Sequence, residues 1–203
     1  DIYVYNQLTK DNNGNIKVDQ NGNLGITSSN TPVKVGNLDA DFNLGWTNHF
    51  TYKGIDLGVV LSARVGGLAY SATQGILDYY GVSETSATAR DNGGIPINNG
   101  KVNAQKYYQT IGTGEGGYGR YYLYSATNVR LQELSLNYTL PKRWFKNVAN
   151  VTLGIVGRNL WMLYCKAPFD PESTASTGTY NQGMDYFMQP SLRSMGFSAK
   201  ISF

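Results

Sequence analysis

From Met195 to Phe203 the chain alternates without a break. Met195, Phe197, Ala199, Ile201 and Phe203 are apolar, and Gly196, Ser198, Lys200 and Ser202 between them are small or polar. Side chains two apart share one face of a strand, so the pattern predicts a strand with one apolar and one polar side. The pattern recurs upstream. Phe42, Leu44, Trp46, Phe50 and Tyr52 alternate with Asn43, Gly45, Thr47, His49 and Thr51, and Asn48 interrupts the apolar side. Lys53-Gly54 reads as a tight turn, after which Ile55, Leu57, Val59, Leu61, Ala63 and Val65 carry the alternation back. A second hairpin follows from Leu134, Leu136, Tyr138 and Leu140, a stop at Pro141, a compact turn over 142–149, and Val151, Leu153 and Ile155. Val129 and Leu131 are out of phase with Leu134, which predicts a bulge near Gln132.

The links alternate in length. Those at 53–54 and 141–149 are short, and those at 66–127 and 164–192 are long. Short turns on one side and long loops on the other are the habit of outer-membrane barrels, which turn tightly in the periplasm and loop out at the cell surface. The expected division is an outer-loop hairpin at 1–38, a crossing hairpin at 40–66, a long outer loop at 67–127, a second crossing hairpin at 128–163, an outer loop at 164–191 and a terminal strand at 192–203. Within 1–38, the turn signals Asn12-Asn13-Gly14 and Asn21-Gly22 flank Ile16-Lys17-Val18. Short helices are expected around 72–80 and 83–90. The fold class is therefore all-β: antiparallel strands of a transmembrane barrel with long extracellular loops. Phe203 ends the sequence on an aromatic, the usual assembly signal of such barrels, and its expected side is the periplasm.

Composition agrees. Charged residues are 15% of the 203, against roughly 25% in a soluble domain. Aromatics are 13%, with 16 Tyr, and Gly numbers 24, a balance that suits strands, turns and interfacial aromatic girdles. The net charge of +3 comes without the basic run that marks nucleic-acid binding. One cysteine, Cys165, allows no internal disulfide or thiolate metal cluster, and one histidine, His49, leaves little for a catalytic set. No Gly-x-Ser-x-Gly elbow is present. The expectation is a non-enzyme without a cofactor or metal.

Candidate chemistry is sparse. Tyr79, Tyr80, Tyr107, Tyr108, Tyr118, Tyr121 and Tyr122 fall in or beside the long 66–127 link. A tyrosine ring stacks on sugars or peptide side chains, and it serves equally well at a protein interface or a membrane girdle. Arg130, Glu133, Arg158 and Lys200 are expected on the lumen side as ion pairs within the barrel or to a plug, with Arg130 and Glu133 as one pair. Asp170, Glu172 and Asp185 suggest a calcium site, but they lack a regular ligand ladder and read better as a Pro-stiffened loop. Gly112-Thr113-Gly114-Glu115-Gly116-Gly117 lacks the Lys-Ser/Thr of a phosphate loop and reads as a flexible link.

A family resemblance enters through a series of short motifs. Ala126 to Pro141, with the run Asn128-Val129-Arg130-Leu131-Gln132-Glu133-Leu134, resembles a signature of the SusC/RagA family of TonB-linked outer-membrane proteins. Gly157-Arg158-Asn159-Leu160-Trp161 does too, as do Lys166 to Glu172, Gln182-Gly183-Met184-Asp185 and Gln189 to Ser194. Upstream, Tyr52-Lys53-Gly54, Gly66-Gly67, Tyr80 to Ser83 and Arg90-Asp91 also match. The resemblance spans nearly all 203 residues.

It implies a 22-stranded barrel around an N-terminal plug, with this chain supplying the last few strands. It implies TonB-dependent import of oligomeric nutrients, glycans or peptides, in a Bacteroidetes-type outer membrane. The implied partners are the remainder of the barrel and its plug, a SusD-like surface lipoprotein as lid, TonB through the absent N-terminal part, and outer-membrane lipid. The alternative is a passive porin or a structural or adhesive barrel.

Overall fold

The computed structural model describes residues 1–112, 119–173 and 182–202. Tyr118, Phe203 and most of the 112–117 glycine run lie outside the described residues. In chain order the strands are β1 (Ile2–Leu8), β2 (Ile26–Gly36), β3 (Phe42–Tyr52), β4 (Ile55–Val65) and β5 (Leu68–Ser71). Helices α1 (Ala72–Tyr79) and α2 (Glu84–Asp91) follow, then β6 (Ile95–Ile97), β7 (Gly100–Val102) and α3 (Ala104–Ile111). The chain finishes with β8 (Leu123–Ser125), β9 (Asn128–Thr139), β10 (Asn150–Cys165), β11 (Met184–Asp185) and β12 (Ser194–Ser202). Two compact units result.

The first, a strand unit, holds residues 40–67, 125–173 and 189–203. Its sheet has the order β12-β10-β9-β4-β3 and is antiparallel throughout. Register places apolar side chains in rows across it. One row runs Phe50, Leu57, Leu136, Ile155, Phe197, and another runs Trp46, Leu61, Leu131, Trp161. Phe50, Leu136, Ile155, Phe197, Trp46 and Trp161 are all exposed, so among the described residues of this unit nothing covers this face. Tyr52 and Trp46 bound the rows on β3; six residues apart, they stand roughly 20 Å from each other along the strand.

The bulge falls where the phase change puts it. Val60 pairs Glu133 and Leu61 pairs Leu131, so Gln132 is the extra residue. On the other side of β9, Arg158 pairs Glu133 and Trp161 pairs Leu131, leaving Asn159 and Leu160 to bulge out of β10. Asn159 takes a left-handed φ of 50° there, a conformation its short amide side chain tolerates.

Lys53 (φ 46°) and Gly54 (φ 86°) close the first hairpin in the primed turn that matches strand twist. The second hairpin closes through Lys142–Phe145, one 3-10 turn, with Lys146 and Asn147 left-handed after it. Both short links lie at one end of the strands. The long links leave from the other end, beside the pairs Phe42–Val65 and Asn128–Cys165.

The second, a helical unit, holds the described residues of 1–39, 68–124 and 174–188. Strands β1 and β2 pair through Ile2–Gly36 and Leu8–Ile26, a longer hairpin than the turn signals alone suggest. Between them two turns repeat eight residues apart. Asp11 Oδ1 accepts the amides of Asn13 (2.8 Å) and Asn15 (2.9 Å), and Asp19 Oδ1 accepts those of Asn21 (2.8 Å) and Asn23 (2.8 Å). Helices α1 and α2 are capped by Ser71 and Ser83, whose side chains accept from Gln74 N and Ser86 N. Their bounds agree with the pattern read from sequence. Helix α3 and the β6–β7 hairpin were not anticipated.

The core of this unit is Leu24, Ala89, Ile97, Val102, Ala104, Tyr107, Tyr108, Ile111 and Tyr122. Four of these, Ala104, Tyr107, Tyr108 and Ile111, come from one face of α3, at the spacing that builds a helical stripe.

Candidate functional site

Two clusters carry the polar chemistry, one in each unit. In the strand unit, Arg130 is 2% exposed. Its Nη2 donates to Asp170 Oδ1 at 2.7 Å and lies 3.1 Å from Glu172 Oε2. Its Nη1 reaches Asn159 Oδ1 (3.3 Å) and Ser191 Oγ (3.4 Å), and its Nε reaches Asn128 Oδ1 (3.4 Å). Asp170 also accepts from the Ser191 hydroxyl (2.5 Å) and amide (3.2 Å) and from the Glu172 amide (3.1 Å). Burial pushes the Asp170 carboxyl up, but the hydrogen bonds from Arg130, Ser191 and the Glu172 amide outweigh it and hold the group down at about 2. Asn159 Nδ2 donates to Ser191 O at 2.9 Å, so the bulge of β10 joins the same network. The cluster ties the two stretches of the 166–193 link to the start of β9.

The expected Arg130–Glu133 pair does not form. The Gln132 bulge puts Arg130 and Glu133 on the same face, but the Arg130 guanidinium is taken by Asp170 and Glu172, and Glu133 lies opposite Arg158 in the ladder, whose Nε stands 2.8 Å from Glu133 Oε2. Lys200 lies on the same polar face, opposite Thr152. The calcium reading of Asp170, Glu172 and Asp185 fails on geometry. Arg130 occupies the first two, and Asp185, in the other unit, accepts from Ser71 Oγ at 2.7 Å. Among the described residues no group of three or more acidic, His or Cys side chains could hold a metal.

In the helical unit, α1, α2 and α3 surround a cavity of about 380 Å³. Asp78, 2% exposed, stands in its wall. Asp78 Oδ1 accepts from Gln74 Nε2 (2.9 Å), Thr85 Oγ1 (3.0 Å) and the Ser83 hydroxyl. Arg90 Nη1 donates to Gly81 O at 2.7 Å. Tyr79 and Tyr80 meet edge to face with ring centres 5.1 Å apart, and Tyr80 is 73% exposed. Tyr108, buried beneath, has its phenol pushed up to about 12 by burial and by the nearby Tyr121 and Asp78, so it stays protonated.

No family model matches the chain. In sequence it is 26% identical over 201 residues to TonB-dependent receptor P3 of Formosa agariphila, covering 95% of this chain and 19% of that protein. In fold it matches the RagAB peptide importer in its closed-closed state, with TM-score 0.59, 18% identity, 91% of this chain and 20% of that one. It also matches the RagAB peptide transporter, with TM-score 0.56, 17% identity, 98% of this chain and 24% of that one. The chain resembles a part of a SusC/RagA-type TonB-dependent receptor. It spans about a fifth of the length of the relatives it matches.

Against that resemblance, the six candidate tyrosines among the described residues separate by burial. Tyr107 and Tyr122 are core residues, 9% and 1% exposed, and present no ring for a ligand or lid. Their sequence position in a long link suggested exposure; α3 and the Gly119–Tyr122 turn fold them inward instead. Tyr79, Tyr80 and Tyr108 line the cavity, and Tyr121 is 42% exposed with its ring edge toward Tyr107. Gln105 and Gln109 line the same cavity from α3 and were not singled out from sequence, because that helix was not read.

Proposed function

We propose that this chain forms barrel wall and outer loops of a TonB-dependent importer of oligomeric nutrients, glycans or peptides, in a bacterial outer membrane. The observation that carries this reading is the five-stranded meander of the strand unit. One of its faces is apolar row by row and exposed. The opposite face carries Asn43, Thr47, His49, Asp56, Ser135, Asn137, Glu133, Arg158 and Lys200. A soluble sheet covers its apolar face with helices or a second sheet. A lipid-facing wall leaves it bare and turns its polar face to the lumen. Strands β3 and β12 each have one unpaired edge within the described sheet, which lipid does not tolerate, so the remainder of the barrel is expected to pair with both.

On this reading the short links are periplasmic, the helical unit is built from surface loops, and a SusD-like lipoprotein and TonB are the working partners. The chain's share is passive: it walls the path and contributes to its outer mouth. The test is purification of the full-length protein from detergent-extracted outer membranes, followed by uptake of labelled oligomers in strains with and without TonB. Co-purification of a surface lipoprotein and uptake that stops without TonB are expected. Uptake indifferent to TonB would place the protein among passive porins.

A further inference from the structure

We propose that the barrel wall holds one anionic phospholipid at a fixed place, with an acyl chain in a groove on the apolar face and the phosphate on the cations of the β9–β10 turn. The proposal rests on the importer reading above, which makes that turn periplasmic. The apolar face is not filled evenly. In the row Val59, Leu134, Gly157, Met195 the glycine leaves a gap between two long side chains. Leu160, displaced by the bulge of β10, leans over it: a Cβ on Gly157 would stand 2.7 Å from Leu160 Cδ2. Leu57, Leu136 and Ile155, the next row toward the turn, complete a groove of about 360 Å³. That size lies in the range of ligand clefts, roughly 300–1,000 Å³. Its lining is aliphatic, Met and Gly throughout, with no polar side chain. A polar ligand loses its water there and gains no hydrogen bond, whereas a hydrocarbon chain loses nothing.

Depth matches one leaflet. Leu136 and Ile155 lie about five residues from the turn, and Leu134 and Gly157 about seven, so the groove runs roughly 17–24 Å up the strands. At a tilt near 45° that is roughly 12–17 Å of depth, close to half of the ~30 Å hydrocarbon core. A chain anchored at the periplasmic surface ends there. The anchor is the turn itself. Lys142, Arg143 and Lys146 are exposed, and no acidic residue occurs between Leu140 and Asn150. Lys53 joins them from the neighbouring turn, where Gly54 O accepts the Thr139 amide at 2.7 Å. Its ammonium lies 5.1 Å from the Tyr52 ring centre, a contact that leaves the charge uncompensated. Among the described residues none of these four cations has an acidic partner. Trp144, 62% exposed, lies in the same turn, and indole rings favour the headgroup level. Clustered Lys and Arg at a membrane surface draw anionic headgroups, and Arg143 can fork a phosphate that the lysines meet as point charges. A second copy of this chain is the weaker occupant. Two such walls packed face to face, both turns in the periplasm, would set cation beside cation.

The test is native mass spectrometry of the full-length protein released from mild detergent. It is titrated with phosphatidylglycerol and, separately, with zwitterionic phosphatidylethanolamine of the same chains. The variants are Lys142→Gln/Arg143→Gln/Lys146→Gln and Met195→Trp, which places an indole in the groove. All four side chains are exposed, so the fold is expected to survive. One phosphatidylglycerol retained about tenfold more tightly than phosphatidylethanolamine is the expected result. The triple variant is expected to abolish that preference, and Met195→Trp to weaken both lipids. Equal retention of the two lipids, a preference that survives the triple variant, displacement of the lipid by inorganic phosphate, or a lipid-free dimer each overturns the proposal. TonB-dependent uptake in cells reads the importer separately: uptake that stops without TonB, from a protein with no lipid preference, removes the lipid site and leaves the importer standing.

Discussion

Arg130 Nη2 lies 2.7 Å from Asp170 Oδ1, and the two residues are 40 apart in sequence. Both side chains are nearly sealed from solvent, at 3% and 7% exposed. The pair closes the link that follows β10 against the start of β9. Removing one partner of a buried pair strands the other, at a cost of roughly 3–5 kcal/mol. Arg130→Ala is expected to destabilise the barrel by that order in denaturant unfolding of the detergent-refolded protein. Arg130→Lys keeps the charge but loses the planar fork, and is expected to fall between. A variant within about 0.5 kcal/mol of wild type would mean that the network holds nothing together.

The same network has a pH sense. Asp170 is held at about 2 in the folded protein, below its ordinary 3.8. A carboxyl lowered by folding contributes stability above its unfolded value and loses it as pH falls through the folded value. The contribution is expected in full above about pH 5 and to fade between about pH 4 and pH 2. Unfolding midpoints of wild type and Asp170→Asn across this window should converge as the pH drops.

The two faces of the sheet make opposite forecasts. Leu136 lies in the apolar row between Leu57 and Ile155, and Thr47 lies on the polar face opposite Val60. Leu136→Arg is expected to cost roughly 2–4 kcal/mol in lipid, and Thr47→Arg close to nothing. Refolding yield and unfolding in lipid vesicles measure both. Equal costs would mean that the apolar face does not meet lipid.

Gly54 has φ 86°, and a Cβ there would stand 2.8 Å from Thr139 O. Gly54→Ala therefore combines left-handed strain with a backbone collision. A loss of at least about 1 kcal/mol is expected in the same unfolding assay. Asn at position 54 relieves the first cost and leaves the second.

The Tyr122 hydroxyl is buried without a hydrogen-bond partner among the described residues. Tyr122→Phe removes an unsatisfied polar atom and keeps the ring. Its expected effect is neutral to stabilising by up to about 1 kcal/mol, while Tyr122→Ala costs roughly 3–5. Protease resistance of the helical unit in the intact barrel reads both.

Much of this protein is legible in its order of residues, for a physical reason. A strand crossing between lipid and a polar lumen repeats every two residues, and each violation has a local cause. The Leu131–Leu134 phase break announces the Gln132 bulge, Lys53-Gly54 the primed turn, and Pro141 the end of β9. The short helices expected around 72–80 and 83–90 are α1 and α2, and the structure adds their caps, Ser71 and Ser83. The stripe Ala104, Tyr107, Tyr108 and Ile111 was also present in the sequence, but it is embedded in a Tyr-rich, Gly-rich link that reads as a loop.

Tertiary structure alone decided which residues meet. Periodicity says that Arg130 and Glu133 are charged and near each other in sequence. It does not say that Glu133 lies opposite Arg158 in the ladder while Arg130 goes to Asp170, across a connection whose path no local pattern specifies. It likewise makes Tyr107 and Tyr80 look equivalent, since burial is a property of what packs around a ring and not of the ring. Pairing partners and burial depend on contacts distant in sequence, which is why the strands could be read one by one and the site could not.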